Sequence, residues 1–214
     1  MTKIPMLRRV AYKVLMILDW SSEGEQMFRQ IISKWRGVYI DVGAYIGDTT
    51  IIAEKAKAII AIEPVPQYVE ILQRLSQKDN RIRVIPAPAG DGSTLEFLQL
   101  PGCDSMFAEA RMFKKWAPKS KTVNRIILKT IKIDDIHIPE GDLLIKIDAE
   151  GGELRILKGA EKTINERNPL LLIECHGTYD QVADLLTKYG YKFHTFAGFK
   201  PFKGQCYLVA TRKR

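Results

Sequence analysis

Between Asp41 and Thr50 the chain reads Asp-Val-Gly-Ala-Tyr-Ile-Gly-Asp-Thr-Thr, so an acidic residue closes an apolar run, two glycines follow and a helical pattern begins. Gly43 and Gly47 permit a tight turn and let a ligand approach backbone that a side chain would block. Such a loop suits a nucleotide-type ligand. Dinucleotide folds keep a middle glycine under the pyrophosphate, and here Tyr45 takes that position, which argues against NAD. Glu63 stands about 20 residues beyond Gly43 at the end of the next apolar run, where a carboxylate accepts hydrogen bonds from both ribose hydroxyls. S-adenosylmethionine meets these conditions: it has no phosphate to cradle, and its cationic methionine end suits Asp41, directly or through water. Tyr45, Thr49 and Pro64 join the expected cofactor-binding set by position. The bland alternative is a plain strand-to-helix turn, with Glu63 an exposed strand end.

Methyl transfer is an in-line displacement, so the protein mainly aligns two reactants and removes a proton from the acceptor. Two further strand ends offer groups for this. Asp148 closes one apolar run and is a candidate for holding the methionine portion or the acceptor; Glu150 follows as a base or a ligand for a divalent cation. The alternative is that Glu150 and Glu153 favour the positive end of the next helix. Glu174 and His176 close another run, and alternate residues of a strand point the same way. His176 is the first choice of base, because histidine titrates near neutrality. Lys146 lies inside a buried run and must reach a carboxylate or a strand edge. Ala87 and Asp91 are the expected adenine neighbours, and residues 104–106 are weaker candidates near cofactor or acceptor. No metal site is assigned; a divalent cation is compatible with these acids but not indicated by them. Cys103, Cys175 and Cys206 lie far apart without a CxxC pair, which suggests neither a disulfide framework nor zinc.

The elements that must position these groups follow from periodicity. Helical spacing predicts two leading helices, over 6–18 and 23–35, with Ser21 and Ser22 suited to the second start. Short apolar runs then alternate with helical segments, the mark of a parallel sheet covered on both faces. Strands are expected over 37–42, 58–62, 81–86, 143–148 and 170–176, with helices over 48–57, 66–77, 153–164 and 180–188. Residues 94–100 read as an added strand or hairpin arm, 124–133 as a strand, and 134–136 as a helical turn. Residues 101–121 show no period and are a candidate substrate region. A closing antiparallel pair is expected over 191–196 and 205–211. A mostly parallel seven-stranded sheet ending in an antiparallel hairpin is the α/β, Rossmann-like three-layer layout of class I methyltransferases, here with N-terminal helices. The division is a helical extension over 1–36 packed on a core domain over 37–214.

With 214 residues, 46% hydrophobic and 27% charged, the chain has the composition of one well-buried globular domain. No apolar run approaches the roughly 18 residues a membrane-spanning helix needs, and no cleavage pattern follows Arg8 and Arg9, so a cytoplasmic location is expected. The net charge of +8, with basic clusters over 111–115, 119–121 and 212–214, suits anionic partners such as nucleic acid or phosphorylated sugars, or else simply a solvated surface.

Four segments resemble the FkbM family of S-adenosylmethionine-dependent methyltransferases: YIDVGAYIGDTT from Tyr39, AIEPVPQYVEIL from Ala61, LLIKIDAEGGELRILKGA from Leu143 and NPLLLIECHG from Asn168. The third is the most specific. The resemblance implies methyl transfer, usually to an oxygen of a sugar, polyketide or other secondary metabolite, and here to a small-molecule or glycan-like hydroxyl. Ala149 and Gly152 stand where the family often has a bulkier residue and an alanine, a difference that bears on pocket shape. Two alternatives stay open. One is an RNA methyltransferase with a basic substrate surface, although the strand end at Asp148 lacks an Asn-Pro-Pro-Tyr-like loop. The other is a non-catalytic cofactor-binding scaffold.

Overall fold

Strands buried along nearly their whole length need cover on both faces, and three of them lie side by side at the centre of this protein. The computed structural model describes residues 22–99, 123–197 and 205–212. In chain order the elements are α1 (Glu23–Lys34), β1 (Val38–Val42), α2 (Asp48–Ile52), β2 (Ala58–Ile62), α3 (Pro66–Ser76), β3 (Ile82–Ile85), β4 (Thr94–Gln99), β5 (Asn124–Lys129), a 3-10 turn (Ile133–Asp135), β6 (Leu143–Asp148), α4 (Glu153–Lys158), α5 (Glu161–Arg167), β7 (Leu170–His176), α6 (Tyr179–Lys188), β8 (Lys192–Ala197) and β9 (Gln205–Thr211). The main sheet runs β3-β2-β1-β6-β7-β9-β8. Its first five strands are parallel, and β9 is antiparallel to both β7 and β8. This is the seven-stranded doubly wound α/β sheet with a terminal hairpin that the sequence predicts.

The chain winds outward from β1 to β3 and then returns to β6 on the other flank of β1, so the order reverses between these two strands. Ligands of open α/β sheets bind in the crevice at that reversal, beyond the carboxyl ends of the strands. Register decides what meets there: Asp41 lies opposite Lys146, Asp148 opposite Glu174, and His176 opposite Gln205.

Strand alternation divides the core in two. On one face Val38, Ile40, Val42, Ile145, Ile147 and Ile173 pack with Ile156, Leu157 and Ile164 of α4 and α5 and with Val182 and Leu186 of α6. On the other, Tyr39, Ile59, Leu144 and Leu172 pack with Phe28 and Ile32 of α1 and with Tyr207. Ser22 caps α1 by accepting from the Glu25 N–H at 3.1 Å, and the Trp35 indole N–H donates to the Val38 carbonyl at 2.9 Å, fixing the entry into β1. Because α1 covers the second face, it also reaches the crevice.

Two elements differ from the expectation. The helix expected over 48–57 ends at Ile52, because the chain turns there to bury Ala53 and Ala56 and to align Lys57, whose N–H donates to the Gly37 carbonyl. The helix expected over 153–164 is two helices. Asp134, from the 3-10 turn, accepts from the N–H groups of Lys162 and Thr163 and so caps the start of α5 from a distant part of the chain. Strands β4 and β5 pair only with each other, and their apolar side, Leu95, Phe97, Ile126 and Leu128, covers Tyr45 and Tyr68 as a separate wall. The helix expected over 6–18, the region 101–121, Cys103 and the end of the basic terminus lie outside the described residues. Among the described residues no helix is long and apolar enough to cross a membrane.

Candidate functional site

A cleft of about 590 Å³ opens at the reversal point, within the range of small-molecule sites. Its donor side is built by the glycine loop. Gly43 has φ +73°, and a Cβ there would sit 1.8 Å from the Asp148 carbonyl oxygen, so the glycine lets the ends of β1 and β6 touch. Gly47 precedes α2, and Tyr45, also at positive φ, packs against Tyr68 with ring centroids 4.4 Å apart and the rings tilted by 60°. Glu63, 5% exposed, accepts from the Tyr45 N–H through one oxygen and from the Val65 N–H through the other, both at 2.9 Å. Burial pushes its carboxyl above the ordinary range, against the two N–H bonds and Lys146, which pull it down. Gly43, Tyr45, Thr49, Glu63 and Pro64 all line the cleft.

Asp41 does not face the cleft. It is fully buried, accepting from the hydroxyls of Thr49 at 2.8 Å and Thr50 at 2.7 Å and from Lys146 Nζ at 3.2 Å. The carboxylate does not line the cleft and ties α2 to β6. This also settles the partner of Lys146, whose ammonium adds the Gly43 carbonyl at 3.3 Å and Asp148 at 3.6 Å. Burial opposes its charge, but Asp41, Asp148 and the carboxylates beyond them more than offset that and raise its pKa. Asp91 is likewise drawn away from an adenine role. Its oxygens accept from Ser93 and, at 3.2 Å, from Arg155, and the Ser93 hydroxyl foremost holds the carboxyl below its usual range. The cleft wall on this side is Pro88 and Ala89 instead of Ala87.

The opposite side is a cluster of carboxylates around one imidazole. Asp148, Glu150 and Glu174 line the cleft. Beneath them His176, 6% exposed, sets Nδ1 3.2 Å from Glu153 and Nε2 3.4 Å from Glu174 and 3.8 Å from Glu150. Glu153 is fully buried and held by the Thr178 hydroxyl at 2.7 Å and the Gly151 N–H at 2.9 Å. Burial disfavours a charged imidazole, yet its bonds to Glu153 and Glu174 and the charges of Asp148 and Glu150 raise its pKa well above the ordinary value. Burial and the charge of Glu174 push the Asp148 carboxyl up to about 8. Glu174 moves down, since His176 and Gln205 outweigh its burial. Like charges about 4 Å apart repel by about 4 kcal/mol at the effective dielectric near a protein surface, so this cluster demands positive charge.

His176 therefore does not stand free as a base at the cleft: carboxylates engage both ring nitrogens, Glu153 at Nδ1 and Glu174 and Glu150 at Nε2. Ala149 and Gly152, the two departures from the family pattern, both line the cleft. Sequence reasoning missed Glu153 as the orienter of His176, although it stands in the most specific motif. It also missed Glu25, Phe28 and Arg29 of α1 and Gln205 and Tyr207 of β9, which line the cleft without any motif to mark them.

The methyltransferase FkbM domain matches residues 41–193, a span that runs from the glycine loop past His176. Hexuronic acid methyltransferase AglP of Haloferax volcanii is 27% identical over 146 residues, which are 65% of this chain and 56% of that protein. The crystal structure of methyltransferase FkbM from Methylobacillus flagellatus KT superposes with a TM-score of 0.53 at 26% identity, covering 80% of this chain and 42% of that one. This chain therefore spans about half the length of those two proteins. The B. subtilis tRNA methyltransferase TrmK, at 13% identity and a TM-score of 0.51 over 90% of this chain and 66% of that one, shares the fold alone. Since the domain match takes in well over half of its residues, this chain belongs to the methyltransferase FkbM family.

Proposed function

We propose that this protein transfers the methyl group of S-adenosylmethionine to a hydroxyl of a small-molecule or glycan-like acceptor, with a sugar acid as the first candidate. The observation that carries the reading is Glu63: each of its oxygens already accepts one backbone N–H, which fixes the carboxylate and leaves further acceptor capacity for a ribose diol in the cleft. The bound donor would supply a methyl carbon on a positively charged sulfur. Negative charge from Glu174 on the far wall suits that sulfur, and Pro88 and Ala89 offer an apolar seat for adenine. Glu150, held at φ +48° on the loop after β6 and lining the cleft, is the carboxylate that takes the acceptor's proton in place of His176.

The sugar-acid candidate draws on the Haloferax volcanii relative, a hexuronic acid methyltransferase. Helix α1, from the N-terminal part of the chain, lines the cleft through Glu25, Phe28 and Arg29. The thiols of Cys175 and Cys206, which carry no disulfide, are compatible with the cytoplasmic setting proposed for this activity.

Calorimetric titration with S-adenosylmethionine and S-adenosylhomocysteine tests the donor, with saturable one-to-one binding expected. Absence of saturable heat with both would overturn the reading. Methyl-labelled donor, offered with uronic-acid oligosaccharides, their carboxyl-reduced forms and tRNA, tests the acceptor. Label is expected on the oligosaccharide, and label on tRNA alone would reject the sugar.

A further inference from the structure

We infer that the carboxyl ends of β6 and β7 form a binding site for one divalent cation of the Mn²⁺ type, held by Asp148, Glu174 and Nε2 of His176. One ligand atom from each of these residues lies within 4.8 Å of the others. Metal–oxygen and metal–nitrogen bonds of roughly 2.1 Å draw such a set together through side-chain rotations on the order of 1 Å. The backbone already provides the arrangement: Asp148 and Glu174 are register partners on neighbouring parallel strands, and Glu174 and His176 share one side of β7.

The imidazole distinguishes this cluster from an ordinary acidic patch. A ligating histidine turns one ring nitrogen to the metal and donates the other N–H to a carboxylate that fixes its orientation. His176 is placed that way, with Nδ1 on Glu153 and Nε2 directed at Glu174 and Glu150. Glu153 is fixed in turn by the Thr178 hydroxyl and the Gly151 N–H, so the ring has one orientation built in before any cation arrives. Four carboxylates, Asp148, Glu150, Glu153 and Glu174, surround this single imidazole, and Lys146 is shared between Asp148 and the buried Asp41. A cation at Nε2 would lie between that nitrogen and the carboxylates that face it. The mixed set of one nitrogen and two carboxylates favours Mn²⁺ over Mg²⁺, which prefers oxygen alone.

The role of the cation, though not its binding, rests on the methyl-transfer reading above. A sugar acid entering this cleft meets a wall of its own sign, and a cation on the cleft floor gives its carboxylate and hydroxyl oxygens a common partner. The coordinated hydroxyl yields its proton to Glu150. Its oxygen then bonds to the methyl carbon as the carbon–sulfur bond breaks, the electron pair stays on sulfur, and S-adenosylhomocysteine leaves.

The test is titration of Mn²⁺, alone and without donor, into the full chain after chelator treatment and dialysis, read by electron paramagnetic resonance. One Mn²⁺ per chain is expected, with a nitrogen coupling in the spin-echo spectrum from the imidazole. His176→Gln should lose that coupling and at least about tenfold in affinity, and Glu153→Gln should weaken binding by about tenfold through the lost orientation of the ring. Asp148→Asn, at a partly exposed position, repeats the affinity loss in a variant whose fold is checked by circular dichroism. A spectrum that stays that of the free aqua ion overturns the site, as does a bound ion without nitrogen coupling or with affinity unchanged in His176→Gln. S-adenosylhomocysteine titrated in the presence of chelator separates the two readings. If it binds while Mn²⁺ does not, only the cation site falls; if Mn²⁺ binds while it does not, only the donor assignment falls.

Discussion

The two sides of the cleft are built on opposite electrostatic plans. On the donor side each acid has its own partners: Glu63 takes two backbone N–H groups, Asp41 two hydroxyls and an ammonium, and Asp91 a serine and an arginine. On the β6 and β7 side, several acids share one imidazole at 3.2 to 3.8 Å. The first plan satisfies every acid by geometry and gives a rigid seat for a neutral ring system and its hydroxyls. The second crowds acids together, so that Asp148 and His176 hold protons more tightly, and a ligand that brings positive charge is favoured there. The donor side therefore identifies its ligand by shape and the other side by sign.

The largest expected effect breaks the donor side. Gly43→Ala puts a methyl against the Asp148 carbonyl at a positive φ, so a loss of at least about 3 kcal/mol and a fall in Tm of roughly 10 °C are expected in a thermal melt. Gly141→Ala is the control. Its φ is also positive, but the nearest atom to the added carbon lies 4.0 Å away, so it bears only the backbone strain. Equal melts for the two variants would mean that contact between β1 and β6 does not hold the loop. Next comes Glu63→Ala, which removes the acceptor of two N–H groups and of the ribose. Donor affinity should fall by about 10- to 100-fold in calorimetry, as expected for about 1–3 kcal/mol of lost hydrogen bonding, with turnover at saturating donor preserved.

Glu153→Gln sharpens the comparison from the other side. It keeps the shape beneath His176 but removes the buried negative charge, and about 2 kcal/mol, or roughly 6 °C of Tm, should be lost. Donor affinity should stay within about twofold, because glutamine at this position leaves Glu63 and its N–H donors untouched. A matching loss of donor affinity would show that the two sides are one network.

How much of this was legible depends on the range of each interaction. The glycine loop and Glu63 could be read because a strand, a turn and a strand end recur at fixed spacing, and the alternation of apolar runs carried the sheet with its closing hairpin. Asp41 was misplaced because its carboxylate points back under the loop to Thr49 and Thr50, a choice made by burial that strand-end position does not reveal. His176 misled because its pKa depends on Glu153, which lies far away in sequence and joins it only through the packing of α4 against β7. Which strand the hairpin arm β4 joins is likewise non-local, since β5 alone carries the same alternating pattern. Nothing in α1 marks Glu25 or Arg29 as cleft residues; they arrive because Phe28 and Ile32 bury the helix on the second face.

Glu25 is where the two plans meet. Burial, then Asp48 on the donor side, then Glu174 on the other raise its carboxyl to about 7, against Lys146. Arg29 lies 3.2 Å away, but its guanidinium is shared with Asp48 at 2.8 Å, which spends much of its charge there. A raised carboxyl pKa means that the folded protein holds a proton the unfolded chain has already lost. Stability should therefore fall as pH rises from about 4.5 to about 7 and stay level above that. Glu25→Gln removes the titration, so the variant should gain on the parent across this window. With the side chain 36% exposed, solvent screening reduces the gain to about 1 kcal/mol, or roughly 3 °C of Tm. Parallel pH–Tm curves would show that Glu25 does not titrate in this range. Cationic sulfur in the cleft should pull the carboxyl down, so saturation with S-adenosylmethionine should narrow the gap between parent and variant more than S-adenosylhomocysteine does. Equal narrowing by both would place the sulfur beyond the reach of α1.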